Sequence, residues 1–149
     1  MKRTIGGIIG LVIVVAVALF LLIQLVPFGH EHTNPPVVRE PNWDSPRTRE
    51  LAKRACFDCH SNESVWPTYS NIAPISWLVQ RDVNEGRQRL NFSNWHSVRK
   101  VDEIGEVVLE GEMPPGIYLI MHPPARLTEQ EKQELASGLE KTARSTASD

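Results

Sequence analysis

The ten residues RACFDCHSNE, Arg54 to Glu63, hold both cysteines of the 149-residue chain and set a histidine directly after the second. Two thiols and an imidazole this close together suit four chemistries: a disulfide, a metal site, thiol–disulfide exchange, or covalent attachment of haem. A disulfide between Cys56 and Cys59 makes no use of His60. An exchanging dithiol wants Cys-x-x-Cys at a helix start after a strand. Here a helical stretch precedes the motif and no βαβ pattern exists. A structural zinc site needs four protein ligands, and His96 or His122 would have to come from far along the chain. C-F-D-C-H matches the C-x-x-C-H pattern of c-type haem attachment. Two thiols add to the two vinyl groups on one porphyrin edge. The next residue, His60, is then held under the iron as proximal ligand. The cofactor expected is one covalently attached haem c.

The N-terminus says where the motif resides. Lys2 and Arg3 precede an apolar run from Ile5 to Val26, interrupted only by Gln24 and closed by Pro27. As helix the run is about 33 Å long, enough to cross a bilayer core. A cleaved signal would have a core of about 7–15 residues with a small-x-small site after it. Ala16-Val17-Ala18 instead lies inside the run. An uncleaved anchor is therefore expected, with the basic end in the cytoplasm and the rest outside. That gives a single pass through the cytoplasmic (inner) membrane, with the C-terminal domain on the periplasmic side. Covalent haem attachment belongs to that same side.

Prolines 27, 35, 36, 41 and 46 make the following segment extended and stiff. His30 and His32 within it read as solvated linker residues. Four helical stretches come next. One follows Ser45-Pro46 and runs to the cysteine motif. A second starts at Pro74, setting Ile75, Leu78 and Val79 on one side with Val83 close by, and has Gly86 near its end. A third follows Ser93, with Val98, Val101, Ile104, Val107 and Val108 at the 3.6 period, and stops at Gly111. The fourth opens on the capping box Thr128-Glu129-Gln130-Glu131 and carries Leu135 and Leu139. No alternating strand pattern is present. The expected fold is all-α: a cytochrome c-like small helical domain around one haem, preceded by one transmembrane helix. The divisions are a cytoplasmic terminus at 1–4, the anchor at 5–26, a linker at 27–45, the haem domain at 46–144 and a polar, frayed tail at 145–149.

A second axial ligand is sought among Met113, Met121, His96 and His122. Met113 leads, because "EGEMPPGIY" places it in a proline-stiffened loop between the last two helices, as class I cytochromes c present theirs. His122 is the alternative, and an open position stays possible in principle. His/Met ligation raises the potential and suits an electron carrier. Trp66, Tyr69, Trp77, Phe92 and Trp95 can wall a haem, and indole N–H and phenol O–H groups can bond its propionates. Trp66 and Tyr69 are the first choices because they follow His60 closely. Arg81 and Arg87 are candidates for a bidentate propionate pair.

The runs CFDCHSNESVWPTYSNIAPISWLVQRDVNEGRQRLNFSNW and GEMPPGIYLIMHPPARLTEQEK resemble the small bacterial haem-binding-domain family. The resemblance rests on the single C-x-x-C-H, on W-P-x-Y-S at Trp66–Ser70, on A-P-x-S-W at Ala73–Trp77 and on the M-P-P loop at Met113. It covers about Pro35 to Glu134 and implies a monohaem c-type domain attached through Cys56 and Cys59 and ligated by His60. It says little about the task.

The formal net charge is −2, and no basic stripe marks the chain for nucleic acid. No general base or nucleophile constellation is evident. The function expected is one-electron transfer between redox partner proteins. The alternative is a haem sensor or peroxidase-like enzyme with an open distal site, using His96 or His122.

Overall fold

The computed structural model describes residues 2–95 and 101–146. Among them the chain is all-helical, with seven α-helices and no strand. The helices are α1 (Lys2–Ile23), α2 (Pro46–Ala55), α3 (Phe57–His60), α4 (Ile75–Arg89), α5 (Val101–Leu109), α6 (Gly116–Met121) and α7 (Glu129–Thr146). His96 and Val98 lie outside the described residues. Two compact units are present: Met1–His32 with Trp66–Asp82, and Thr33–Val65 with Val83–Asp149. Helix α4 contributes to both.

In the first unit, α1 is long and apolar enough to cross a membrane. It ends at Ile23, three residues before the apolar run does, because Gln24, Leu25 and Val26 donate instead to carbonyls three back. The Gln24 amide bonds both backbone groups of Ala73, Nε2 donating to its O at 3.0 Å and Oε1 accepting from its N at 2.9 Å, while Nε2 also donates to Phe20 O at 2.9 Å. His32 differs from the solvated residue the sequence suggested. It stacks on Trp66 with centroids 4.5 Å apart, and its Nε2 lies 3.0 Å from Ser70 O.

The second unit is held by α7. Leu135, Ala136, Leu139 and Ala143 are buried along it, together with Leu51 and Ala52 of α2 and Ile104 and Val108 of α5. Full burial of a leucine stabilises by about 1.5–3 kcal/mol. Helices α2 and α7 cross closely because Gly138 has no side chain; a Cβ there would collide with Thr48. Ser45 caps α2 by accepting from Thr48 N at 3.2 Å, with Pro46 at the first position. Thr128 and Glu131 close the capping box of α7 reciprocally: Glu131 N to Thr128 Oγ1 at 3.2 Å and Thr128 N to Glu131 Oε2 at 2.9 Å. The helix runs to Thr146, past the point where the sequence suggested fraying, because Thr142 and Ala143 are buried. Upstream of α2 the chain is extended, as its prolines require, yet bonded to its own unit. Val38 N and Arg39 N donate to Ser93 O, Trp95 N donates to Arg39 O, and Trp43 packs on the core.

Candidate haem-binding site

Helix α2 delivers the chain to Cys56, whose N–H still bonds Ala52 O at 2.8 Å. The Cys56 carbonyl then accepts from Cys59 N at 3.2 Å and His60 N at 2.9 Å, closing the single turn α3. Residues i, i+3 and i+4 of such a turn share one face, so Cys56, Cys59 and His60 are displayed together. Neither thiol is bridged. Burial, then the neighbouring Cys59, pushes the Cys56 thiol up to about 12.

His60 is clamped at two points by the loop after α4. Its Nδ1 bonds Leu90 O at 3.1 Å, and its backbone carbonyl accepts from Phe92 N at 2.8 Å. A carbonyl only accepts, so Nδ1 carries the proton and Nε2 keeps its lone pair for a metal. Burial pulls the imidazole below its ordinary value, against the Leu90 and Gly86 backbone bonds. It is thus held neutral, the form that ligates.

Cys56 and His60 line a cavity of about 650 Å³ in the second unit. That lies within the range of small-molecule and cofactor sites, about 300–1,000 Å³. Phe92, Trp95, Ile104, Val107, Val108 and Leu139 give it apolar walls, and Met113 lines it as well. Phe57, Phe92 and Trp95 stack in series behind it, with centroids 5.4 and 5.8 Å apart. Met113 reaches the cavity because its N–H bonds Val107 O at 3.0 Å, folding the loop back on the end of α5.

Cys59 is absent from this lining. It lies against α4 at Gly86, where an added Cβ would collide with its carbonyl oxygen and come within 2.9 Å of its carbonyl carbon. His122 is also absent from the lining; it stacks on Tyr118 at 3.9 Å, and its Nδ1 sits 3.0 Å from Tyr118 O. Met121 is exposed. Trp66 and Tyr69 belong to the first unit, whereas the cavity walls all come from the second. Arg87 lines the cavity and braces the motif: Nε donates to Ser61 O at 2.7 Å, and its terminal nitrogens donate to Thr33 O, Asn34 Oδ1 and Ser64 Oγ. Arg89 lines the cavity beside it.

Three contributors escaped the sequence reading. The Leu90 carbonyl is backbone, which residue type does not reveal. Gly86 was visible only as a helix glycine. Asp58, inside the motif, accepts from Tyr118 Oη at 2.7 Å and so ties α6 to α3.

The His60 imidazole, the Cys56 thiol and the Met113 thioether thus line one cavity, residue types that fit a haem. Residues 18–141 match the family model described as the haem-binding domain, and the chain belongs to that family. No curated protein and no solved structure matches the chain.

Proposed function

We propose that the chain is a membrane-anchored monohaem c-type protein that passes single electrons between redox partner proteins at the periplasmic face of the cytoplasmic membrane. The observation that carries this reading is that Cys56, His60 and Met113 line one cavity with apolar walls at Phe92, Trp95, Ile104 and Val108. Bound haem supplies a one-electron couple. Cys56 and Cys59 would hold the group by thioethers, and His60 would ligate it. Met113 would supply the second ligand, with His122 the alternative. Helix α1 is the anchor, and Lys2 and Arg3 keep its N-terminus cytoplasmic. Setting those two aside from the 16 basic residues leaves the 18 acidic ones in excess. Docking by a basic partner therefore weakens with salt.

The test is a ferrous absorption scan of the matured protein with and without carbon monoxide, followed by a redox titration. A low-spin six-coordinate spectrum indifferent to carbon monoxide, with a one-electron couple, is the result expected. A high-spin ferrous form that binds carbon monoxide contradicts the carrier and favours sensing or peroxidase-like chemistry.

A further inference from the structure

The first turns of α4 are amphipathic in the wrong sense for water. Ser76 and Gln80 are buried, at 0% and 2% exposure, while Ile75 and Leu78 are 47% and 39% exposed. A helix facing water puts its apolar stripe inward. Just before α4, Ile72 is 45% exposed. From Trp66 to Gln80 the sequence has no charged residue. All of this lies in the unit that also contains α1, whose end carries Leu25 and Phe28, 78% and 47% exposed. The Gln24 side chain, the one polar interruption of the apolar run, bonds both backbone groups of Ala73. Ile72 and its neighbours are thereby fixed at the C-terminal end of α1.

We propose that the Ile72–Leu78 segment is a membrane-seated foot. Ile72, Ile75 and Leu78 lie with Leu25 and Phe28 in the boundary between headgroups and acyl chains, and Gln24 holds them there. The occupant of this apolar face is the bilayer itself, because the face is continuous with the helix that spans it. The chemistry is that of an interfacial segment: apolar side chains outward, no charge from Ile72 to Leu78, burial to a depth of about 5–10 Å. The foot rests on α1 being a spanning helix, and holds for either sidedness.

The experiment uses full-length holoprotein in liposomes, labelled with an environment-sensitive fluorophore at Ile75→Cys, Leu78→Cys or Val14→Cys. The unsubstituted chain gives the labelling background. Lipids carry a nitroxide quencher either near the headgroup or at the acyl terminus. At positions 75 and 78 the shallow-to-deep quenching ratio is expected above one; at position 14, in mid-helix, below one. If the Val14 label is quenched in that order and the other two by neither lipid, the foot is refuted and the spanning helix stands. Blue-shifted but unquenched labels at 75 and 78 mean that protein, such as a second copy, covers the face, which also overturns the proposal. If the Val14 label escapes deep quenching, the spanning reading fails and the foot with it.

Discussion

Met113 is the residue on which the electron-carrier reading turns. Its N–H is pinned to Val107 O and its side chain lines the cavity shared with His60. Met113→Ala is expected to abolish the weak sulfur-to-iron band at the red end of the ferric spectrum and to let carbon monoxide bind the ferrous form. Persistence of that band in the variant assigns the ligand elsewhere. Gly86 makes a steric demand rather than a chemical one. A methyl there meets the Cys59 carbonyl, so Gly86→Ala must push α3 away from α4. The expected outcome is a lowered yield of holoprotein and a destabilisation of about 1–3 kcal/mol, the usual cost of overpacking, read from denaturant midpoints. Tyr118 holds a neutral phenol against Asp58, since burial and then that bond raise its pKa. Tyr118→Phe is expected to cost about 1–3 kcal/mol, as leaving a hydrogen-bond partner unsatisfied does, by the same measurement.

At the scale of elements, α2 and α7 are joined by charge as well as by leucines. Glu131 accepts from Arg54 at 2.7 Å and Arg47 at 3.2 Å. Its carboxyl is held down to about 2 by the Thr128 backbone N–H and then by Arg54. Protonation is easier in the unfolded chain, so the pairing stabilises fully above the ordinary value of 4.5 and is lost as pH falls towards 2. The stability advantage of the native chain over Glu131→Gln is expected to shrink across that window. An advantage that does not change with pH would remove the ion pairs from the account. These helices were legible beforehand because their ends are written in side chains: Ser45-Pro46, Thr128 with Glu131, and Gly111 at φ +77° after α5. Helices α3 and α6 were not, because four and six residues are too few to show a period. The apolar side of α4 was legible as a stripe, but not as an outward one. Sequence periodicity shows that Ile75 and Leu78 share a face, and tertiary packing chose Ser76 and Gln80 for burial.

For the whole molecule, residue type pointed to haem, as the family does, and the backbone brings Cys56, His60 and Met113 to one cavity. C-F-D-C-H, the Met113 loop and the apolar N-terminus could be read directly. The carbonyl of Leu90 that orients His60, and the approach of Cys59 to Gly86, are products of the folded chain. The proline-rich stretch shows the same division. Its extended form follows from composition, whereas the bonds of residues 38 and 39 to Ser93 depend on the folded loop after α4. The proposed function requires thioether bonds from Cys56 and Cys59 to one haem. Its most direct test is the intact mass of full-length protein matured with the attachment machinery, denatured and extracted with acidified acetone. The account predicts a coloured polypeptide whose mass exceeds its sequence by one haem, with Cys56→Ala and Cys59→Ala each strongly lowering that species. A colourless polypeptide at the mass of its amino acids alone would contradict it.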